Sequence, residues 1–236
     1  MQKTVERSLA GICLFEDLDP EVVKRLSEAC RWRRYRRGER IIEQGSESRE
    51  VLFIAEGAVS ILGPSASGRE VAFATLGVGS HLGELAAIDG EPRSASAVAQ
   101  CDTLVAEMPS DRFLRLLQDD GRITLKLLRN LSYMIRSGDV RIMELSTLAA
   151  TQRVYAELLR LAVPDAAVPG QWVVRPLPPL REIASHVSTT RETVARALGG
   201  LYPSGLLRRK GRNLYIMDRP AFEQLIGQRS GSRAAS

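Results

Sequence analysis

The sequence predicts an α+β protein in which a β barrel or jelly roll is followed by one long helix and by a smaller helical unit with a hairpin. Three observations lead to this prediction. Between residues 31 and 108, short apolar runs alternate with Gly, Ser, Pro or Asp at the even spacing of an antiparallel barrel. Residues 121–149 keep a helical repeat without a break. From residue 150 onward, short helical segments precede a basic hairpin.

The chain is long enough for two domains, because 236 residues of which 44% are hydrophobic can bury two cores. Residues 1–119 are predicted to be the barrel with short N-terminal helices, 120–149 the long helix, and 150–228 the smaller unit. The small polar residues 229–236 predict a disordered tail. The run RWRRYRR at 31–37 lies at the entry to the barrel, where alternation predicts a solvated strand and not a nucleic-acid arm.

The long helix carries an apolar stripe whose members are spaced alternately by three and four residues. This spacing is the seam of a two-stranded coiled coil, so it predicts that the helix pairs with a second copy in a homodimer. The alternative is a core helix within one chain. The seam consists of Leu128, Leu131, Ile135, Gly138, Ile142, Leu145 and Ala149.

The segment LREIASHVSTTRETVARALGGL has the spacing of a helix-turn-helix, and the hairpin LLRRKGRNLYIM after it predicts a winged helix. On the second helix, Arg191, Glu192 and Arg196 fall within about 140° of one another around the axis. Such a face can read G·C pairs in a major groove, because a guanidinium donates to guanine O6 and N7 and a carboxylate accepts from cytosine N4. The alternative is that Thr189 and Glu192 form a capping box and that the arginines are merely solvated.

Residues beside that helix favour DNA binding. The hairpin tip carries Arg209, Lys210 and Arg212, which can contact phosphates, and Thr189 and Thr190 can do so from the helix N-terminus. The net charge of +5 and the pI near 9.4 agree with a polyanionic partner. The sequence therefore predicts a protein that binds double-stranded DNA.

The stretch GELAAIDGEPRSASA, residues 83–97, places Arg93 among small residues, nine positions after Glu84. Backbone amides, the guanidinium and the Ser94 hydroxyl can together bind one small anion. Glu84 can then accept from a ribose hydroxyl, which suits a cyclic nucleotide because it presents a phosphate and a free 2′-hydroxyl close together. The alternative is a surface Arg–Glu pair of little consequence.

Three short motifs resemble those of one protein family. GEL at 83–85 and PRSA at 92–95 resemble the phosphate-binding cassette of cyclic-nucleotide-binding domains. RETVAR at 191–196 resembles the recognition helix of the Crp/Fnr family of bacterial transcription regulators. The order of barrel, long helix and winged helix is similar to that family over nearly the whole chain.

The resemblance implies the roles of the cassette residues. Arg93 and Ser94 would bind the cyclic phosphate and Glu84 the ribose 2′-hydroxyl. The pocket would be shaped by the remaining matching residues, Gly83, Leu85 and Ala95. The implied cofactor is a cyclic nucleotide effector, with cAMP as the first choice.

The resemblance also implies the partners of the protein. Arg191, Glu192 and Arg196 match the family's base-reading positions, so a homodimer would read a palindromic DNA site with half-sites resembling TGTGA. RNA polymerase would be a further partner.

The long helix departs from the pattern of the cAMP-binding members, in which neighbouring Thr and Ser hydroxyls contact the adenine. Gly138 and Asp139 occupy those positions, and Ser137 lies one residue away. Asp139 can accept from guanine N1–H and N2–H2, which suggests cGMP or cyclic di-GMP, although adenine N6–H2 is also a donor. The alternatives are that Asp139 is solvated while cAMP is bound through its phosphate and ribose alone, or that the barrel binds no ligand and serves only as a dimer scaffold.

Other classes of site are not indicated. Cys13, Cys30 and Cys101 are far apart and show no spacing for zinc, and they are too few for an iron–sulfur cluster. His81 is expected to lie in a turn and His186 to pack or to lie beside a phosphate, so no haem ligand is predicted. The sequence offers no oriented nucleophile, and we therefore expect no enzyme. With no signal peptide and no apolar run near the roughly 20 residues of a membrane span, we expect a cytoplasmic protein without membrane contact.

Overall fold

The computed structural model describes residues 7–64 and 70–227. The chain divides into two compact units, Met1–Met134 and Ile135–Ser236, and the division falls within the long helix. The predicted disordered tail, 229–236, lies outside the described residues. The domain boundaries that the sequence indicates remain predictions.

Two four-stranded antiparallel sheets form the N-terminal unit, and the α+β fold class with a jelly roll is confirmed. The first sheet has the order β1 (Arg31–Tyr35), β8 (Thr103–Met108), β3 (Val51–Glu56) and β6 (His81–Leu82). The second has the order β2 (Arg40–Ile42), β7 (Ser96–Ala99), β4 (Ala58–Pro64) and β5 (Glu70–Gly77). In β1, Arg31, Arg33 and Arg34 are exposed while Tyr35 is buried, as predicted for a solvated strand.

The central strand β3 is buried on both faces, because successive side chains of a strand point in opposite directions. Leu52 and Ile54 pack in the cluster between the two sheets. Val51 and Phe53 pack in a second cluster, which the helices of this unit cover. Phe53 contacts Phe15 with ring centroids 4.9 Å apart.

Helices cover the outer face of the sheet that contains β3, and the first α-helix begins at a well-defined cap. Asp19 Oδ1 accepts from the amide of Glu21 at 2.8 Å, and Pro20 supplies a helical φ at the first position. The helices of this part of the chain are a 3-10 turn at Cys13–Phe15, α1 (Pro20–Glu28), α2 (Glu84–Asp89), α3 (Ser110–Asp119) and α4 (Gly121–Thr147).

The predicted long helix is α4, but the prediction that its seam reaches Ala149 is wrong. Ala149 has an extended backbone, and its amide donates to Gln152 Oε1 at 2.9 Å, so it begins the next helix. Leu131 is half-buried against the cluster around Phe53. Large apolar side chains of α4 that are exposed are Leu125, Leu128, Tyr133, Met134, Ile135, Val140, Ile142, Met143 and Leu145.

The C-terminal unit has its own core and a four-stranded antiparallel sheet in the order β11, β12, β10, β9. The core includes Val154, Leu158, Ile183, Leu198 and Phe222. The elements are α5 (Ala150–Leu161), β9 (Val163–Pro164), β10 (Trp172–Val174), α6 (Leu180–His186), α7 (Arg191–Gly199), β11 (Leu207–Lys210), β12 (Asn213–Ile216) and α8 (Arg219–Gly227).

Three of these elements, β9, β10 and α8, were not predicted. The strand β10 pairs with β12 on one side and with β9 on the other. Helix α8 begins where Asp218 Oδ1 accepts from the amide of Ala221 at 3.0 Å, and it places Phe222 in the core. Within the described stretches, none of the helices is long and apolar enough to cross a membrane.

Candidate functional site

The cassette of the N-terminal unit runs from β6 through α2 to β7. Gly83 lies at the start of α2 with φ of 86°, in the left-handed region that favours glycine. A Cβ at this position would overlap Arg93 Nη1 and lie 2.9 Å from the carbonyl oxygen of Glu50. Glycine is therefore needed here for two reasons, backbone conformation and space for the Arg93 side chain.

Arg93 is held by three hydrogen bonds and is 4% exposed. Its Nε donates to Ser48 Oγ at 3.0 Å, Nη1 to the Gly83 carbonyl at 2.9 Å, and Nη2 to the Glu50 carbonyl at 2.8 Å. A guanidinium has five N–H donors, so two remain after these three bonds. The arginine is thus fixed in orientation and retains donors for an anion.

Two carboxylates, those of Glu50 and Glu84, act on the charged guanidinium of Arg93. Glu50 Oε2 lies 3.6 Å from Nη2. Burial lowers the pKa of Arg93, while the negative charges of Glu50 and Glu84 oppose that shift. The guanidinium stays charged, because the ordinary pKa of arginine is far above neutral pH.

Glu84 is 6% exposed, and its Oε2 is buried without a hydrogen-bond partner among the residues that the structure describes. A buried acceptor left without a donor destabilises a fold by about 1 to 3 kcal/mol. Such an oxygen is suited to accept a hydrogen bond from a hydroxyl group of a ligand.

The other predicted cassette residues lie beside Glu84 and Arg93 in the sequence. Ser94 and Leu85 are exposed and Ala95 is half-buried, so all three lie at or near the surface. The prediction that His81 lies in a turn is wrong, because His81 belongs to β6 and pairs with Phe53. Burial lowers the pKa of His81, and the charge of Glu84 only partly opposes this, so the ring is neutral at pH 7.

Ser137, Gly138 and Asp139 lie on α4 within the second unit. Ser137 and Asp139 are exposed, and a Cβ at Gly138 would meet no atom within 4 Å. The space beside Gly138 is therefore open within the chain itself.

The predicted DNA-reading helix is α7, and its turn has a clear local cause. Ser188 has φ of 51°, which reverses the chain after α6. Thr190 Oγ1 then accepts from the amide of Thr193 at 3.2 Å and caps α7. The cap is Thr190, so the alternative capping box of Thr189 and Glu192 is not formed. Hydrogen bonds from its own backbone amide and from Thr190 lower the pKa of Glu192, which is a carboxylate at pH 7.

The predicted base readers and phosphate contacts are exposed, except for Thr189, which is half-buried. Arg191, Glu192 and Arg196 are exposed on α7, while Val194 and Leu198 face the core. At the wing, Gly211 has φ of 60° and forms the turn between β11 and β12. The exposed hairpin cations are Arg209, Lys210 and Arg212.

One residue that the sequence did not single out, Arg153 on α5, holds the helix-turn-helix turn. Its Nε donates to the Val187 carbonyl at 2.9 Å, Nη2 to the Ser188 carbonyl at 3.1 Å, and Nη1 to the Leu148 carbonyl at 2.8 Å. One guanidinium therefore joins the turn before α7 to the segment that follows α4.

Replacing Arg153 with lysine is expected to lower the free energy of unfolding by about 1 to 3 kcal/mol, because one ammonium cannot satisfy three separated carbonyls. Urea denaturation of the full chain measures the change. Arg181→Lys on the exposed surface of α6 is the matched control. Equal effects of the two substitutions would contradict the bridging role.

A second unpredicted feature is a network of charges around Glu157, which is 5% exposed on α5. Arg160 pairs with Glu157 and also with Glu144 of α4 at 2.7 Å, and His186 Nδ1 lies 3.3 Å from Glu157 Oε1. Burial alone would raise the pKa of Glu157, but the hydrogen bond with His186 and the charge of Arg160 outweigh it and lower the pKa below 4.5. His186 thus packs within the domain.

The lowered pKa of Glu157 predicts an acid-sensitive contribution to stability. It is present above the unfolded-state pKa near 4.5 and is lost as pH falls through the lower folded-state pKa. Glu157→Gln should lower the unfolding free energy by about 1 to 3 kcal/mol near pH 5 and by less near pH 3. Glu223→Gln, which removes a surface pair with Arg219, is the control and should show little effect. A deficit that is constant with pH would refute the assignment.

Comparison with known proteins agrees with this architecture. Residues 32–120 match the family of cyclic nucleotide-binding domains, and residues 152–225 match the Crp-like helix-turn-helix domain. The chain is 31% identical over 202 residues to the Cyclic AMP receptor protein of Thermus thermophilus, covering 85% of this chain and 90% of that protein. It is also 31% identical over 192 residues to the cAMP-activated global transcriptional regulator Vfr of Pseudomonas aeruginosa, covering 79% of this chain and 89% of Vfr.

A solved structure shows the same similarity. The Catabolite Activator Protein of Thermus thermophilus has a TM-score of 0.53 and 28% identity, covering 91% of this chain and 98% of that one. Together with the barrel, the long helix and the winged helix-turn-helix, these relationships show that the chain belongs to the Crp/Fnr family of transcription regulators.

Proposed function

We propose that this transcription regulator is a homodimer that binds a palindromic DNA site under allosteric control by a cyclic nucleotide, with cAMP as the first choice. Ligand at the cassette would change the relative stability of active and inactive dimers, and so the spacing of two recognition helices. As a regulator of bacterial genes, it would act in the cytoplasm.

The observation that carries the ligand proposal is the pairing of a buried, oriented arginine with a buried, unsatisfied carboxylate oxygen. Arg93 has donors left for a phosphate, and Glu84 Oε2 lacks a donor among the described residues. A cyclic nucleotide supplies both complements, a phosphodiester anion and a ribose hydroxyl. In this proposal Ser94 adds a hydroxyl to the phosphate, and Gly83, Leu85 and Ala95 surround the two charged groups.

The base of the nucleotide would be read by Ser137, Gly138 and Asp139. The exposed carboxylate of Asp139 can accept from adenine N6–H2 or from guanine N1–H and N2–H2, so cGMP and cyclic di-GMP remain candidates beside cAMP.

The homodimer proposal is supported by the exposed apolar residues of α4. Ile135 and Ile142 are 66% and 63% exposed, and Leu145 is 43% exposed. Exposed apolar side chains at alternating three- and four-residue spacing are stabilised when a second helix packs against them.

The DNA proposal assigns separate tasks to α7 and to the wing. Arg191, Glu192 and Arg196 would read bases of half-sites resembling TGTGA. Phosphates would be contacted by Thr189, Thr190, Arg209, Lys210 and Arg212. RNA polymerase would be the protein partner of the bound dimer.

Titration calorimetry of the full chain with cAMP, cGMP and cyclic di-GMP tests the ligand proposal. Binding of one of them, together with a rise in affinity for a palindromic DNA when that ligand is present, is the expected result. If none binds, the cyclic nucleotide proposal is wrong.

A second candidate is a ligand-independent regulator whose barrel is only a dimer scaffold. The observation that favours it is that protein groups already hold Arg93 through three hydrogen bonds. Specific DNA binding that is equally tight with and without every nucleotide of the panel would support this candidate over the first.

A further inference from the structure

The buried arginine of the cassette is outnumbered by carboxylates. Glu50 Oε2 lies 3.6 Å from Arg93 Nη2, and the charge of Glu84 also acts on the guanidinium. One cation and two anions leave this cluster with a net negative charge. The site that is proposed to bind a phosphate therefore repels further negative charge unless Arg93 contacts it closely.

The two carboxylates differ in their access to solvent. Glu84 is 6% exposed, whereas the Glu50 side chain is 52% exposed and that of Arg93 is 3% exposed. A half-exposed carboxylate in contact with a buried guanidinium lies on the solvent side of that group. A phosphate that reaches Arg93 from solvent would therefore lie close to Glu50.

The backbone of Glu50 has a separate task from its side chain. Its carbonyl accepts from Arg93 Nη2 at 2.8 Å and helps to fix the guanidinium, and this bond does not depend on the carboxylate. Changing only the side-chain charge leaves the three hydrogen bonds of Arg93 in place. The electrostatic effect of Glu50 can thus be measured without removing the binding group.

We propose that Glu50 acts as a charge filter at the cassette, making it prefer phosphodiesters, which carry one negative charge, over phosphate monoesters. A monoester carries about 1.5 to 2 negative charges at pH 7. Because Coulomb energy scales with the product of the charges, Glu50 repels a monoester about twice as strongly as a diester. This inference rests on the proposed function, in which Arg93 binds the phosphate of the ligand.

The test compares cAMP with 5′-AMP on the full-length wild-type protein and on Glu50→Gln. Calorimetry at about pH 8 keeps the monoester dianionic, since its second phosphate pKa is about 6. At low salt, Glu50→Gln should bind cAMP about fivefold more tightly and 5′-AMP about 25-fold more tightly. The ratio of the affinity for cAMP to that for 5′-AMP should therefore be about fivefold smaller in Glu50→Gln than in wild type. The difference between the two proteins should be smaller at high salt, because salt screens the charge of the half-exposed Glu50.

Glu47→Gln is the matched control, because it removes the same charge from the same loop. The Glu47 side chain is 76% exposed and pairs with Arg49 at 3.9 Å. Equal tightening of both ligands by Glu50→Gln, no tightening, or the same narrowing in Glu47→Gln would overturn the filter.

The outcomes also separate the filter from the proposed function. Wild-type protein that binds cAMP, with an unchanged diester preference in Glu50→Gln, overturns the filter alone. Failure of both proteins to bind any nucleotide overturns the filter and the cyclic nucleotide proposal together. Binding of nucleotide by Glu50→Gln but not by wild type also overturns both, because the wild-type site then accepts neither the diester nor the monoester.

Discussion

Replacing Arg93 with alanine is expected to weaken the binding of cAMP by about 100-fold or more. Two charge-assisted hydrogen bonds from a guanidinium to a phosphate are each worth about 1.5 to 3 kcal/mol. Removing the guanidinium also leaves Glu84 buried without its nearby cation. Titration calorimetry against the wild-type protein measures the loss.

Two further variants keep this prediction testable if Arg93→Ala is unstable, since the carbonyls of Gly83 and Glu50 lose their donor in it. Ser94→Ala leaves Arg93 in place and should weaken binding about tenfold or more, because a hydroxyl that donates to a phosphate anion makes a hydrogen bond worth about 1.5 to 3 kcal/mol. Arg49→Ala removes an exposed arginine of the neighbouring loop and should leave affinity nearly unchanged. A folded Arg93→Ala protein with wild-type affinity would show that the phosphate does not bind there.

Arg191→Ala is expected to weaken binding to a specific palindrome by about 1 to 3 kcal/mol and to relax the base preference at one position of each half-site. The reason is that a guanidinium at the exposed N-terminal turn of α7 can donate two hydrogen bonds to one guanine. Fluorescence anisotropy with cognate and scrambled duplexes measures both effects.

Lys210→Ala is the contrasting control on the wing. A phosphate contact carries no sequence information, so its loss should weaken cognate and scrambled DNA alike and reduce the salt dependence of binding by about one ion. If Arg191→Ala weakened both duplexes equally, its assignment as a base reader would be wrong.

The parts of the fold that follow from local periodicity were predictable from the sequence. The alternating apolar runs predicted the jelly roll, and the three- and four-residue spacing predicted α4, although it extended the helix to Ala149, beyond the observed end at Thr147. The end of α4 was not predictable from apolar spacing, because Ala149 continues the stripe while its amide is captured by Gln152. Helix α8 was missed because its pattern is short, although Asp218 before Pro220 is a recognisable helix start.

The residues of the candidate sites were likewise predictable only where they belong to a local sequence motif. Arg93 and Glu84 were found because they belong to one short motif, but Ser48 and Glu50 contact Arg93 from more than 40 positions away. Arg153 and Glu157 lie on an ordinary amphipathic helix, and apart from Arg160 their partners come from other helices and turns. Contacts of this kind depend on tertiary packing, which a single sequence does not encode in its local pattern.

The absence of a side chain at Gly83 ties two distant positions together. Any larger residue there displaces the guanidinium of Arg93, and a shorter residue at position 93 removes the donor from the Gly83 carbonyl. A substitution at either position therefore disrupts the contact that the other position makes. Among descendants of this chain, we expect glycine at 83 to outlast the arginine, because the left-handed backbone and the nearby Glu50 carbonyl still favour glycine after the guanidinium is lost.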